Sequence, residues 1–140
     1  MPGNTVFLET NGWLALLNAS DQLHSRADAV WRALGQRGYS IVLTDWIIAE
    51  TGNGLARTRA RARFSQIAGA ILNDPGCRVV FITSSVLRRA LDLYLARIDK
   101  QWGLVDCASF IVMADEKIAE AFTTDRHFDQ AGFKTLLPVP

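Results

Sequence analysis

Thr5-Val6-Phe7-Leu8-Glu9-Thr10-Asn11-Gly12, residues 5–12, reads as a short apolar β-strand that runs into an acid and then polar residues. Strands are poor in Glu, and an acid set directly after a buried apolar run is costly unless something partners it. Glu9 therefore marks a point where fold and chemistry meet. Four more β-rich runs follow, at 41–43, 79–82, 121–123 and 135–137, each bounded by polar or turn residues. Between them lie segments of helical period at 12–18, 22–37, 45–55, 59–73, 85–98 and 106–119, with a short helical turn near His127. Strands alternating with helices in this way predict an α/β fold with a central, mainly parallel sheet. Ser20 or Asp21, Thr44 or Asp45, Ser84 or Ser85, and Asp106 stand where N-caps are expected. Asp74-Pro75-Gly76 is a turn that closes the fourth helix.

The chain has 140 residues, 49% of them hydrophobic, with no internal repeat and no Pro/Gly/Ser-rich linker. That is enough to bury a core without disulfides or a structural metal, so residues 1–140 are expected to form a single domain. The first ten residues lack the basic start and apolar run of a signal peptide, and nothing approaches the roughly 20 apolar residues of a membrane span. A soluble, cytoplasmic protein without a membrane partner is expected. Cys77 and Cys107 are far apart, without CxxC or matching His spacing, which argues against both a zinc site and a disulfide framework.

A net charge of +1 does not by itself point to nucleic acid. Of the 15 basic residues, however, 12 are Arg, and Arg57, Arg59, Arg61 and Arg63 alternate in one short stretch. Planar guanidinium groups bind phosphate in bidentate fashion, so this segment is a candidate RNA-binding patch. The competing reading is a solvated helix surface, because helical spacing splays such residues around the axis.

Four of the 14 acids occupy comparable places in this layout. Glu9 ends the first strand. Glu50 lies in the third helix, beside the apolar stretch Trp46-Ile47-Ile48-Ala49. Asp106 begins the sixth helix with Ser109 one turn on, and Asp125 follows the fourth strand in Phe122-Thr123-Thr124-Asp125. Strand ends and helix starts are where an open parallel sheet places its ligand crevice. Carboxylates gathered there would raise one another's pKa unless a cation joined them. A hard divalent ion, Mg²⁺ or Mn²⁺, suits a cluster of Asp and Glu lacking His and Cys, and bridges such carboxylates to a substrate phosphate. Phosphodiester hydrolysis is the chemistry implied. Taken singly, Asp106 and Asp125 also read as plain helix caps, and Glu50 as an ordinary exposed helix acid.

The chain resembles the PIN-domain ribonucleases, especially bacterial toxins of the VapC type, over nearly its whole length. Four motifs carry the resemblance, in order: Phe7-Leu8-Glu9-Thr10-Asn11-Gly12, Ala49-Glu50-Thr51-Gly52-Asn53, Leu104-Val105-Asp106-Cys107-Ala108-Ser109, and Thr123-Thr124-Asp125-Arg126-His127-Phe128. It implies a three-layer PIN-like fold with about five strands flanked by helices. It also implies a Mg²⁺- or Mn²⁺-dependent endoribonuclease whose metal-binding acids are Glu9, Glu50, Asp106 and Asp125. Thr10, Asn53, Ser109 and Thr123 would be supporting neighbours that orient carboxylates or water. Implied as partners are a structured RNA such as tRNA or rRNA, a cognate antitoxin protein, and a second copy in a homodimer.

One departure stands out: the family's first acid is normally Asp, and here it is Glu9. That leaves open a second reading, a PIN-like module that binds RNA or protein without cleaving. A haloacid-type phosphatase would need DxD at the first strand, where the chain has Glu9-Thr10-Asn11. Trp13, Trp31, Trp46 and Trp102 are expected in the core, with Trp102, just before Asp106, the best candidate for stacking on RNA. His24 and His127 lack an obvious partner, and a surface or capping role is expected for His127. Gly52 and Gly54 fit no phosphate-loop pattern.

Overall fold

A computed structural model describes residues 4–139. Its sheet has five strands: β1 (Thr5–Leu8), β2 (Ser40–Thr44), β3 (Cys77–Val80), β4 (Glu120–Phe122) and β5 (Lys134–Thr135). All pairings are parallel, in the order β3-β2-β1-β4-β5, so the sheet is wholly rather than mainly parallel among the described residues. Central β1 aligns Phe7 with Val42 on one side and with Ala121 on the other. Val6, Phe7, Leu8, Val42, Leu43, Ala121 and Phe122 are all buried. This explains why these strands read as continuous apolar runs, since a parallel sheet is covered on both faces.

The helices are α1 (Thr10–Leu17), α2 (His24–Gln36), α3 (Asp45–Leu55), α4 (Arg61–Asn73), α5 (Ser84–Ala96), α6 (Leu104–Asp115) and α7 (Arg126–Gln130). Within one group α1 packs on α2 and α3, and α3 on α4; within the other, α6 packs on α5 and α7. The chain winds outward from β1 through β2 to β3, then returns past β1 to β4 and β5. Right-handed crossovers in these two directions put the two helix groups on opposite faces, giving three layers.

Several local readings are corrected by side chains that found other partners. Neither Ser20 nor Asp21 caps α2, because Asp21 Oδ1 accepts the Leu23 N–H and Ser20 N–H is taken by Asn18; such Asx turns compete with helix caps. The fifth helix is capped by Thr83, whose hydroxyl accepts the Val86 N–H, rather than by Ser84 or Ser85. β3 starts and ends two residues earlier than expected, at Cys77 and Val80, and Asp45 Oδ1 takes the Ile82 N–H beyond its end. The sixth helix stops at Asp115, because Lys117 adopts φ 58° and Ile118 N–H turns back to Met113 O. Thr44 does cap α3 through the Ile47 N–H, and Asp74 holds the turn after α4.

The tryptophans are structural. Trp13 packs on Phe64 and Trp31 on Phe122. Trp102, the best candidate among them for stacking on RNA, lies in the core like the others, buried edge-on against Phe110 with its indole N–H donating to Gln130 Oε1 at 3.0 Å.

Gly12 presses α1 against β4. A Cβ there would lie 2.1 Å from the Phe122 carbonyl oxygen and 2.6 Å from its ring, and the same carbonyl accepts the Glu9 N–H at 3.3 Å. Backbone cannot give way as a side chain can. Gly12→Ala should therefore cost about 3 kcal/mol or more, the upper end for overpacking. A denaturant melt with an unchanged midpoint would show that α1 does not need this approach.

Candidate active site

β1 and β4 are adjacent, and the crossovers leave their neighbourhood in opposite directions, so the crevice at their carboxyl ends is the switch point of the sheet. Glu9 immediately follows β1, and Thr123 immediately follows β4. Thr123 Oγ1 donates to Glu9 Oε1 at 2.5 Å and accepts the Asp125 N–H at 2.9 Å. Glu9 Oε1 also accepts the Asn11 N–H at 2.8 Å, so the acid that ends the strand caps α1 as well.

Asp125 caps α7, accepting the His127 N–H at 2.9 Å. Asp106, expected as the N-cap of the sixth helix, is its third residue instead. Gly103 is the N-cap, and Asp106 Oδ2 reaches back to accept its N–H at 3.1 Å. His127 then joins the two helix starts: its Nδ1 lies 3.1 Å from Asp106 Oδ2 and 3.4 Å from Asp125 Oδ1. Sequence reasoning gave His127 a surface or capping role without an obvious partner, whereas the structure sets its ring beside both acids. The available signal was the Asp125-Arg126-His127 spacing, an N-cap acid followed by a ring in the first turn.

Glu50, on α3, is held by the residue that follows Glu9: Thr10 Oγ1 donates to Glu50 Oε1 at 2.5 Å. Thr51, also unanticipated, is fully buried beneath this pair, its hydroxyl bonded to Ile47 O at 2.7 Å. Ser109 is buried one turn after Asp106, and its Oγ has no hydrogen-bond partner among the described residues. Asn53 is exposed, a turn beyond Glu50. Arg57 and Arg59 are exposed between α3 and α4, Arg61 reaches Ala56 O, and Arg63 lines a hollow of about 430 Å³ with Trp13, Asp28 and Asp74.

Elsewhere on the molecule four acids pair with arginine, Asp28 with Arg32, Asp99 with Arg97, Asp115 with Arg89 and Glu116 with Arg78. Among the described residues Glu9, Glu50, Asp106 and Asp125 have no Arg or Lys partner. Burial pushes the Glu9 carboxyl up to about 8, the charges of Asp125 and Asp106 adding to the rise while bonds from Thr123 and Asn11 oppose it. Burial also holds Asp106 above the ordinary carboxyl range, with the Asp125 charge acting in the same sense. Uncompensated carboxylates in a crevice are the electrostatic signature of a cation site. An open cavity of about 500 Å³, lined by Asn11, Thr124, Asp125, Arg126 and Asp129, adjoins them.

A wholly parallel sheet with uncompensated acids at its switch point defines an acid-lined nuclease-type crevice, and the sequence places it in a family. Residues 6–134 match the PIN domain, and the chain belongs to the PIN-domain family. It is similar to the 23S rRNA-specific endonuclease VapC20 of two Mycobacterium tuberculosis strains, with 29% identity over 133 residues, 95% of this chain and 98% of the relative. The crystal structure of M. tuberculosis VapC20, described as a sarcin-ricin loop cleaving toxin, superposes with a TM-score of 0.80. At 29% identity, that match covers 91% of this chain and 95% of the other.

Proposed function

We propose that this protein is a metal-dependent endoribonuclease, the toxin of a toxin-antitoxin pair, which cuts a structured ribosomal RNA. The observation that carries the reading is the convergence of Glu9, Asp106 and Asp125 at the switch point without an Arg or Lys counter-ion. The similarity to an rRNA-specific relative supports, out of tRNA or rRNA, a hairpin like the sarcin-ricin loop as the proposed substrate.

The donor set fits a divalent cation. Asp106, Asp125 and His127 each offer a ligand atom within 4.8 Å of the others, and Glu9 stands beside them as a buried carboxylate. Glu9, Glu50, Asp106 and Asp125 would hold Mg²⁺ or Mn²⁺, which when bound lowers the pKa of an attacking water and stabilises charge on the phosphate. The chain's own part is positional. Thr123 fixes Glu9 and, through the Asp125 N–H, the start of α7; Thr10 fixes Glu50; the Gly103 N–H fixes Asp106. Such neighbours hold carboxylates in the geometry an ion needs.

A second reading is favoured by one observation. The longer Glu9 turns inward to Thr123, and its carboxyl titrates near 8, so at neutral pH without an ion it is mostly protonated. A module that binds RNA or protein without cutting would look like this. Incubation of the pure chain with a 23S rRNA sarcin-ricin hairpin and with total RNA, in Mg²⁺, Mn²⁺ or EDTA, separates the two. Cleavage with an ion and none in EDTA is expected; binding without cleavage under all conditions would replace the nuclease reading by the second.

No helix among the described residues is long and apolar enough to cross a membrane. The proposed protein partners are an antitoxin that blocks the crevice and a second copy. On α5, Leu91, Tyr94 and Leu95, with Ile98 just beyond, are exposed apolar residues that a second chain could cover.

Arg57, Arg59, Arg61 and Arg63 are proposed to hold RNA away from the reacting phosphate. Replacing all four with Gln should weaken binding and reduce the salt dependence by roughly 0.7 to 0.9 in log–log slope for each phosphate that is no longer neutralised. Because Arg63 faces a separate hollow, the triple variant that spares it should behave nearly as the quadruple one. A slope equal to that of the wild type would mark the segment as a solvated surface.

A further inference from the structure

The established pattern of the family accounts for the acids but leaves His127 without a role. Its ring is three-quarters covered, and Nδ1 lies 3.1 Å from Asp106 Oδ2 and 3.4 Å from Asp125 Oδ1. A single N–H at Nδ1 can serve one of these oxygens well, not both. The spacing matches another arrangement. Neighbouring ligands of an octahedral ion, at bonds of about 2.1 Å, sit roughly 3 Å apart, and all three ligand atoms fall within 4.8 Å of one another. A second observation points to an occupant. Ser109 lies one turn from Asp106 on the same stretch of α6, is 1% exposed, and its Oγ has no hydrogen-bond partner among the described residues. Buried hydroxyls without partners are rare, and a water carried by a bound ion would supply one.

We propose that His127 Nδ1 is a direct ligand of the divalent ion, together with Asp106 and Asp125, and that this nitrogen biases the site toward Mn²⁺ over Mg²⁺. The inference rests on the reading of the crevice as a metal centre. Mg²⁺ demands oxygen ligands and parts with its waters reluctantly, whereas an imidazole nitrogen suits transition ions. Asp125 and His127 both belong to the cap and first turn of α7, so the short helix delivers an oxygen and a nitrogen ligand as one rigid unit.

The test uses the full chain, stripped with EDTA and desalted, then titrated with Mn²⁺ while the free-ion EPR signal is followed, with Mg²⁺ as competitor. Pulsed EPR of the Mn²⁺-loaded protein should show modulation from one imidazole ¹⁴N. His127→Asn should abolish that modulation and weaken Mn²⁺ binding by at least about tenfold, since even an outer partner of a ligand is worth that much. Mg²⁺ binding should change far less. His24→Asn should keep the modulation, because His24 Nδ1 is engaged with Ala15 O on α1. Should His127→Asn not fold, His24→Asn decides the matter, because His127 is then the one histidine left in the chain. Bound Mn²⁺ without nitrogen modulation, or modulation that survives His127→Asn, overturns the ligand assignment and leaves the nuclease reading standing. Failure of the wild type to bind Mn²⁺, with Asp106→Asn indistinguishable from it, overturns both.

Discussion

Asp106→Asn should lower metal-dependent RNA cleavage by on the order of a hundredfold or more, the scale of losing one preorganised charge from a reacting site, while leaving the fold intact. Two jobs meet in this side chain and the substitution separates them. Its Oδ2 accepts the Gly103 N–H at 3.1 Å and so ties down the start of α6. An amide oxygen accepts that bond equally well, so the cap, worth about 1 kcal/mol, is retained. What disappears is the negative charge facing Asp125 and His127. Circular dichroism and the melting temperature should be close to those of the wild type in EDTA, whereas the metal-induced rise in melting temperature should shrink. Removal of the like charge should also bring Glu9 back toward the ordinary carboxyl range, since Asp106 contributes to its rise. Loss of folding would return Asp106 to the plain capping role, and unchanged cleavage would remove it from the site.

Glu9→Gln should abolish cleavage and, without metal, make the protein more stable at pH 8 than the wild type. The sign follows from linkage. The Glu9 carboxyl titrates near 8 in the folded chain against 4.5 for a free side chain. Between these values the folded state keeps a proton that the unfolded state has released. Its contribution to stability is thus fully present below pH 4.5 and is lost as pH rises toward 8, at up to about 1.4 kcal/mol per pH unit for one proton. Gln is neutral throughout and can still accept from Thr123 and Asn11 through its carbonyl oxygen, so the two bonds to Oε1 survive. Melting temperatures in EDTA from pH 5 to 9 should therefore fall for the wild type and stay nearly level for Glu9→Gln. With Mn²⁺ present, stabilisation of the wild type should grow over the same interval, because ion and proton compete for one carboxylate. Parallel pH profiles for the two proteins would show that Glu9 is ionised in the folded state. Glu9→Asp tests the departure from the family: Asp keeps the cap on α1 but draws back from Thr123, and a gain in cleavage would identify the extra methylene as a weakening substitution.

The α/β class was legible because strands covered on both faces must be continuous apolar runs, as Val6-Phe7-Leu8 and Leu43 with its neighbours are. The order of the acids was legible too, since each follows a strand or sits on a helix whose start the chain advertises. Elements whose ends depend on a long-range partner were misplaced. The end of β3 lies near a carboxylate 37 residues earlier, through Ile82 N–H and Asp45, and no local pattern encodes that bond. The α6 start was displaced because Asp106 makes the reciprocal half of a cap rather than the cap itself.

By itself, then, the sequence determined the class of fold, because local propensity and apolar periodicity are properties of neighbouring residues, while the four candidate acids stood out by their places in that layout and by the family resemblance. Tertiary structure alone decided which acids meet and in what state. It set the parallel register that puts Glu9 beside Thr123, 114 residues away, and the burial that raises its carboxyl. It also brought His127 to Asp106 across 21 residues. Such outcomes depend on contacts between distant segments and on exclusion of water, and those quantities exist only once the chain has packed.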